Sequence, residues 1–301
     1  MDINKLKTRR VKEYTDIDGL KSLIPTRLYK YRYWNDNVKH SFHKYILTER
    51  QLYFSDSYSF DDPYDCRFPV NFDYSFESIK ERMKKSYYKL LGLHVLKNEQ
   101  LESLIKQQYN ERFGTEANRK IREREFYKLF NETLVSYCLS MSNNNKKMWN
   151  KYGDKFNGFC VGFDFHKDLQ SLLDANIGGT YVQYVNKTTE HMVYPDINTE
   201  GGLEDYTWFS NDLIRKKYKS WSFEKEYRFY KWNFDYLNNL EIPEFNNIYT
   251  VPHSCFDEII FGYKMNQKHI EEIMEVCKKN NIWVSFKIAD LHKNSVVIRD
   301  I

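Results

Sequence analysis

Apolar residues recur at two different periods along the chain, and these periods separate predicted helices from predicted strands. From about Phe76 to Leu134, apolar side chains lie three and four positions apart, which predicts a block of two or three helices. Gly92 and the Gly114-Thr115 pair are the expected breaks in this block. Elsewhere, short runs rich in tyrosine, phenylalanine and β-branched residues predict strands. The mixture predicts an α+β fold.

The segments outside the block alternate between predicted strands and short predicted helices. Strands and turns are expected in TRLYKYRYW, ILTERQLYFSD, LVSYCLSMS, FCVGFDF, TYVQYV, WSFEKEYRF, CFDEIIFG, IWVSFKIA and SVVIRDI. Helices are expected in DLQSLLDA, DYTWFSNDLIRKKYKSW and NQKHIEEIMEVCKKNN, a short helix or turn in MWNKYGDKFNG, and a polar loop from Thr188 to Asp205. Because no repeat, linker or compositional boundary interrupts the chain, we predict one domain over residues 1–301 with a helical insertion at 76–134.

The segment WSFEKEYR combines an aromatic pattern with closely spaced charges. If it is a strand, the period of two places Glu224, Glu226 and Arg228 on one face, opposite Trp221, Phe223, Tyr227 and Phe229. The two glutamates repel each other unless Arg228, a lysine or a ligand compensates them. On a surface they form a salt bridge without chemistry. If they are partly buried, one carboxyl titrates abnormally and becomes a candidate acid, base or electrostatic stabiliser.

Composition restricts the class of protein only in part. The hydrophobic fraction of 41% is sufficient for a core, and a net charge of +4 is too small to indicate a nucleic-acid-binding protein. The first residues, MDINKLKTRRVKEY, do not form a signal peptide, and no window resembles the roughly 18 apolar residues of a membrane span. The five cysteines are dispersed, which favours reduced thiols over a zinc site or disulfide framework. We therefore expect a cytoplasmic protein without a membrane partner.

Common catalytic signatures are missing from the sequence. It contains no GxGxxG, GxxxxGK[ST], HExxH or GxSxG, the patterns of dinucleotide folds, P-loop ATPases, zinc proteases and serine hydrolases. Its eight histidines are scattered, and lone histidines are more often structural than catalytic. A routine metabolic enzyme is therefore disfavoured.

Polar residues in the first predicted strands form two candidate clusters. Lys30 and Arg32 share one face of LYKYR, where they either hold a phosphate or lie on a solvated edge strand. After LYFS, Asp61, Asp62 and Asp65 either coordinate a cation, bond a ribose hydroxyl, or serve as turn residues. The pattern leaves these alternatives open.

A third cluster lies in the middle of the chain. Ser140 and Ser142 share a strand face, and Trp149 and Tyr152 share a helical face. Hydroxyls beside flat rings can cradle a nucleotide-like ligand, although aromatic residues at helical spacing usually belong to a core.

Several of these motifs occur in an order that resembles a known bacterial family, the domain of unknown function 2971. The resemblance runs from about Leu28 to Tyr263, and its most specific parts are MWNKYGDKFNG and WSFEKEYR. The chain departs from the family at Asp61, where an asparagine is expected in an NDP-type turn. The family name implies no reaction.

A basic, aromatic first strand, a serine-bearing middle strand and a late strand with Glu-x-Glu are also similar to the organisation of ADP-ribosyltransferases. This resemblance implies a split, mostly antiparallel sheet that binds NAD+ in its cleft, with no metal. It implies Glu226 as the catalytic residue, with Glu224 assisting at the acceptor. The other implied contacts are to NAD+ by Tyr29, Lys30, Tyr31, Arg32, Ser55, Ser140, Ser142, Trp149 and Tyr152, and to substrate by Asp62, Asp65, Trp221 and Arg228.

Three functions follow as hypotheses. The first is an NAD+-consuming transferase or glycohydrolase of bacterial toxin or anti-phage defence type, which modifies a protein or nucleic acid and is subject to a regulatory partner or antitoxin. The second is a nuclease in which the aspartates and glutamates bind a divalent cation while Lys217 and Lys219 contact phosphate. The third is a non-enzymatic module that docks a protein or nucleic acid through the lysine-rich helical block.

Overall fold

Helices and strands are intermixed along the chain. The computed structural model describes residues 17–34, 42–91, 98–187, 191–192, 202–233 and 246–301. Its helices are α1 (Ile17–Leu23), α2 (Tyr45–Thr48), α3 (Phe76–Leu91), α4 (Asn98–Phe113), α5 (Glu116–Thr133), α6 (Lys146–Lys151), α7 (Leu169–Asp174), α8 (Gly202–Arg215) and α9 (Gln267–Lys279). Its strands are β1 (Leu28–Arg32), β2 (Gln51–Tyr53), β3 (Val70–Asn71), β4 (Leu134–Ser140), β5 (Phe159–Phe163), β6 (Ile177–Tyr181), β7 (Gln183–Val185), β8 (His191–Met192), β9 (Lys216–Tyr218), β10 (Glu226–Trp232), β11 (Ile248–Thr250), β12 (Phe256–Gly262), β13 (Ser285–His292) and β14 (Ser295–Asp300).

One large sheet organises the described part of the chain. Its eight strands have the order β14-β13-β12-β5-β1-β4-β10-β6. Neighbouring strands in it are antiparallel, apart from the parallel pair β12 and β13, which α9 connects. The predicted α+β class with a mostly antiparallel sheet is therefore confirmed.

The sheet opens beside β1. This strand pairs with β5 along its full length. On its other side it shares a single register pair with β4, formed by Tyr29 and Ser140. β4 instead pairs with β10 from Leu134 to Ser140. Beyond Tyr29 the backbones of β1 and β4 therefore separate, and Lys30 and Arg32 lie beside the gap.

Different apolar layers cover the two faces of the sheet. Val161 and Ile259 belong to the larger core, which includes residues of α7 and α9. Their neighbours Cys160 and Ile260 belong to a separate core around Trp149. This alternation is the period of two that the sequence shows in β5 and β12, and it results from the opposite directions of successive side chains in a strand.

The predicted helical block consists of α3, α4 and α5. These helices pack with β3 and α8 in a second core, which includes Ile105, Phe126 and Tyr206. Thr115 caps α5 by accepting a hydrogen bond from the backbone N–H of Asn118. The expected break at Gly114-Thr115 is therefore present, whereas Gly92 lies outside the described residues. The assignment of the block as an insertion within one domain stays a prediction.

Two predicted elements are shorter than the sequence patterns indicate. The helix expected through DYTWFSNDLIRKKYKSW ends at Arg215 and is followed by strand β9. The strand expected from Trp221 begins at Glu226, because Lys219–Glu224 form a 3-10 turn. The predicted loop from Thr188 to Asp205 lies mostly outside the described residues, and α8 covers its last positions. Among the described helices, none has the length and apolar character needed to cross a bilayer.

Candidate functional site

A cavity of about 340 Å³ occupies the gap between β1 and β4. We refer to it as the cleft. Its walls come from β1, from β4, from the loop at 53–65, and from the segment between Lys217 and Glu226. The residues of the predicted site that line it are Tyr29, Lys30, Tyr31, Arg32, Ser55, Asp62, Asp65, Ser140, Tyr152, Trp221, Glu224 and Glu226. Segments far apart in the sequence thus contribute to one cavity.

Lys30 and Arg32 project from β1 beside the ring of Tyr137. The Lys30 ammonium lies 4.4 Å from the ring centroid and donates a hydrogen bond of 2.6 Å to the carbonyl oxygen of Cys138. Arg32 donates to the carbonyl oxygen of Tyr31 at 3.2 Å. Within the described residues, neither cation forms an ion pair with a carboxylate. Both therefore have donors available for an anion.

Lys30 is held in surroundings that oppose its charge. Burial and, to a smaller extent, the neighbouring Arg32 lower its pKa from 10.5 to about 7, against weaker opposing effects of Cys138, Glu226 and Glu224. The ammonium group thus loses its proton near neutral pH. A lysine of this kind is more common at functional sites than in structural ion pairs.

We expect the change of Lys30 to methionine to stabilise the protein by about 0.5–2 kcal/mol, because the buried amine no longer opposes folding. The folded-state pKa lies below the unfolded value, so the gain is full below pH 7 and is lost as the pH rises toward 10.5. Urea unfolding at pH 6 and pH 9 measures it. Lys146→Met is the control, since Lys146 is half-buried outside the cleft and donates a hydrogen bond to Asn294. An unchanged stability at pH 6 would contradict the account of Lys30.

Glu226 enters the cleft through a well-anchored turn. Lys225 adopts a left-handed conformation with φ of 46° and ends the 3-10 turn, so that β10 starts at Glu226. Ser140 holds this turn by donating a hydrogen bond of 2.7 Å to the carbonyl oxygen of Glu224. The backbone N–H of Glu226 donates to the hydroxyl of Tyr184 at 2.8 Å. Ser140 therefore fixes the backbone that carries both glutamates.

Five charged residues form a buried ion network on the floor of the cleft: Asp65, Lys217, Glu224, Glu226 and Arg228. Arg228 is fully buried, with Nε 2.6 Å from Glu226 Oε1 and Nη2 2.7 Å from Asp65 Oδ2. Lys217 Nζ lies 2.6 Å from Glu224 Oε2, 3.1 Å from Glu226 Oε2 and 3.0 Å from Asp65 Oδ2. Three carboxylates thus share two cations.

The network shifts the pKa values of the two glutamates in opposite directions. Burial opposes the ionisation of Glu226, but Arg228 and Lys217 outweigh it and hold its pKa below the ordinary value. Burial raises the pKa of Glu224, against the attraction of Lys217, and the charge of Glu226 raises it further. The hydroxyl of Tyr152 donates a hydrogen bond of 2.6 Å to Glu224 Oε1. Two carboxyl groups whose pKa values are shifted in opposite directions can take different roles in proton transfer.

The rim of the cleft is closed by a contact between the 53–65 loop and α6. Lys151 Nζ lies 3.1 Å from Asp61 Oδ2. The same ammonium lies 4.8 Å from the ring of Trp221 and 5.1 Å from the ring of Tyr152. Trp221 and Tyr152 thus form an aromatic wall with a cation at its outer end.

Three residues of the predicted site lie away from the cleft walls. Trp149 is fully buried and stacks on Phe156 with a centroid distance of 5.5 Å, so its expected contact with nicotinamide is wrong. Ser142 donates to Asn144 and does not line the cleft. Arg228 lies beneath Glu226 rather than against the cavity, so it positions carboxylates instead of contacting substrate.

Sequence reasoning missed the central role of Lys217. It assigned this residue to phosphate binding in a nuclease, whereas Lys217 joins three carboxylates. The sequence does indicate a cation near Glu224 and Glu226, because two glutamates at i and i+2 require a compensating positive charge. Nothing in the sequence pattern marks Tyr137, whose ring supports Lys30, as a cleft residue.

The cleft carboxylates are arranged for cations of the protein itself. A group of three or more histidine, cysteine, aspartate or glutamate side chains suited to a metal ion does not occur among the described residues. The oxygens of Glu226 face Arg228 and Lys217 instead.

Comparison with known protein families gives a match for one segment of the chain. Residues 148–229 match the DUF2971 family. This family is described as a protein of unknown function, and the match supports the first resemblance found in the sequence. The comparisons with curated proteins and with solved structures gave no match.

The DUF2971 segment supplies one side of the cleft. It contains Tyr152, Lys217, Trp221, Glu224 and Glu226, together with the aromatic wall. Strands β1 and β4 and the 53–65 loop lie outside the matched residues. The cationic pair on β1 is therefore joined to the DUF2971 segment only by the tertiary structure.

Proposed function

We propose that this protein uses NAD+ as a substrate and cleaves the bond between nicotinamide and ribose. It then transfers the ADP-ribosyl group to a protein or nucleic acid, or to water. A bacterial toxin or anti-phage defence effector is the proposed setting, because modification of a macromolecule disables a cell or a phage. A regulatory partner or antitoxin belongs to the same proposal.

One observation carries the proposal: the gap between β1 and β4 brings two cations, which have no acid partner among the described residues, and two glutamates into one cavity. Its volume of about 340 Å³ is within the usual range for ligand pockets. NAD+ has complementary features, with a negatively charged diphosphate near its middle and a positively charged nicotinamide ring at one end. The separation of opposite charges in the cleft therefore fits this substrate.

The cationic end of the cleft suits the diphosphate. Lys30 and Arg32 lie on the same face of β1, and in the described part of the chain their side chains donate hydrogen bonds to backbone carbonyls. Phosphate oxygens accept charge-assisted hydrogen bonds from such donors, and the planar guanidinium of Arg32 can donate two at once.

The anionic end suits the bond that breaks. As the nicotinamide bond is cleaved, its electron pair moves to the ring nitrogen, and the ribose carbon C1′ becomes positively charged. The ionised Glu226 stabilises this charge electrostatically. Tyr152 and Trp221 exclude water from the same end of the cleft.

Nicotinamide release from NAD+ tests the proposed function. We expect the wild-type protein to release nicotinamide, with Arg32→Ala raising the KM for NAD+ because a diphosphate contact is lost. Chromatographic detection of nicotinamide measures this in the presence of protein, RNA or DNA acceptors. Absence of release with every acceptor would refute the proposal.

The affinity for ADP-ribose is expected to fall as the pH rises through about 7. Lys30 has a pKa of about 7, since burial lowers it, and only its protonated form attracts the diphosphate. We expect a loss of roughly tenfold from pH 6 to pH 9, which corresponds to one charge-assisted hydrogen bond. Isothermal titration calorimetry measures this, and Lys30→Arg should give a nearly flat profile. A steep decrease that persists in the arginine variant would assign the dependence to another group.

The two other hypotheses receive less support from the geometry. A nuclease requires carboxylates that are open to a divalent cation, but Lys217 and Arg228 contact Asp65, Glu224 and Glu226. A basic docking face on the helical block is weakened by ion pairs within that block, including Lys80 with Glu102 and Lys120 with Glu116.

A further inference from the structure

Asp62 differs from the other buried carboxylates of the cleft. It lines the cavity and is only 4% exposed. Its Oδ1 accepts a hydrogen bond of 3.0 Å from the backbone N–H of Tyr64, which forms an Asx turn. Its Oδ2 is buried and has no hydrogen-bond partner among the described residues. The turn role expected from the sequence therefore accounts for one carboxylate oxygen and leaves the other unexplained.

The neighbouring carboxylates are already compensated. Glu226 contacts Arg228 and Lys217, and Glu224 contacts Lys217 and Tyr152. Asp65 lies 2.7 Å from Arg228. An unpaired buried carboxylate oxygen is costly, so a native protein retains one mainly where a water, an ion or a ligand supplies the donor. Among the described residues that line the cleft, Asp62 is the carboxylate with this free capacity.

The loop that carries Asp62 is attached on both sides of this residue. Asp61 pairs with Lys151 at the aromatic wall, and Asp65 pairs with Arg228 in the buried ion network. The backbone N–H of Asp65 also donates to the carbonyl oxygen of Asp62 at 3.0 Å. These attachments hold the loop on both sides of Asp62, which lines the same cavity as Glu226.

We propose that Asp62 is the general base that takes the proton of the acceptor. This inference rests on the proposed function. In the step, a lone pair of the acceptor atom forms a bond to C1′ while the nicotinamide bond breaks and its electron pair stays on the ring nitrogen. The proton of the acceptor atom moves to Asp62 Oδ2. Charge balances, because the positive charge of the pyridinium ring is replaced by the transferred proton.

This role restricts the class of acceptor. A base is useful only when the nucleophilic atom carries a proton, as in water, a hydroxyl group or a protonated nitrogen. An anionic acceptor, such as a carboxylate or a terminal phosphate, needs no base and is repelled by the charge of Asp62. The cleft therefore selects a neutral or cationic acceptor that carries a proton.

Asparagine at position 62 gives a sharp test, because it retains the oxygen that accepts from Tyr64 and removes the basic oxygen. We expect Asp62→Asn to lower kcat for nicotinamide release by about 100-fold or more, with little change in KM. Asp62→Glu should retain part of the activity, and added formate should partly restore Asp62→Ala.

Asp164→Asn is the matched control. Asp164 accepts from the backbone N–H of His166 at 3.1 Å in the same type of turn, but it lies outside the cleft. Its substitution should leave kcat unchanged.

The outcomes separate this inference from the proposed function. If the wild type releases nicotinamide and Asp62→Asn has the same kcat, the base role is overturned while the proposed function stands. Failure of added formate to raise the rate of Asp62→Ala also overturns it, since a small base does not repair a structural defect. If the wild type releases no nicotinamide, the proposed function fails and the base role fails with it.

Discussion

Replacing Arg228 by methionine is expected to lower the free energy of unfolding by about 3–5 kcal/mol. Arg228 is fully buried and contacts both Glu226 and Asp65. Its removal leaves Lys217 to compensate three buried carboxylates. Folding then requires an unpaired charge in the interior or the uptake of a proton. Urea unfolding followed by circular dichroism measures the loss.

A double-mutant cycle with Glu226→Gln separates the ion pair from the packing of the arginine side chain. If the pair dominates, the double variant should recover part of the stability lost in Arg228→Met, because one uncompensated charge is removed. The loss should also diminish as the pH falls, since protonation of the remaining carboxyls replaces the missing cation. Strict additivity of the two single changes, with no effect of pH, would show that Arg228 contributes through packing alone.

Replacing Glu226 by glutamine is expected to reduce kcat for nicotinamide release by about 100–1,000-fold, with a small change in KM. Glutamine retains the size of the side chain but removes the negative charge that stabilises C1′ during bond cleavage. Arg228 and Lys217 outweigh the effect of burial and hold the pKa of Glu226 low, so Glu226 stays ionised in mildly acidic solution.

Glu272→Gln provides the control for this substitution. Glu272 accepts a hydrogen bond of 2.8 Å from the indole of Trp34 and lies outside the cleft. Its replacement should leave nicotinamide release unchanged. If Glu226→Gln keeps its native circular dichroism spectrum and full activity, Glu226 has a structural role only, as one member of the buried ion network.

The secondary structure was predictable where local pattern and burial agree. The period of three to four in the helical block and the period of two in β5 and β12 both correspond to faces that pack into cores. The prediction was wrong at Trp221, where β-forming residues occur in a 3-10 turn. Ser140 and the left-handed Lys225 hold that turn through contacts that no local pattern encodes.

Parts of the candidate site were also predictable, because chemistry restricts which residues can lie together. Two closely spaced glutamates required a cation, and Arg228 at the same strand face supplies one. The aromatic residues Trp149 and Tyr152 have different surroundings in the structure. Trp149 packs in the core, whereas the hydroxyl of Tyr152 contacts Glu224 in the cleft. Helical spacing places both rings on one side of α6, but it does not determine which of them reaches the cleft.

The sequence by itself determined the residue types of the site and their local order: a basic first strand, an acidic turn, a serine-bearing strand and a late Glu-x-Glu segment. Only the tertiary structure decided that Asp65 and Arg228, 163 positions apart, form one ion pair and that β1 separates from β4. The order of strands in a sheet depends on contacts between distant segments, which local periodicity does not specify. Burial then determined the ionisation of these side chains. Removal from water lowers the pKa of Lys30, and it means that Glu226 keeps its negative charge only because cations such as Arg228 lie beside it.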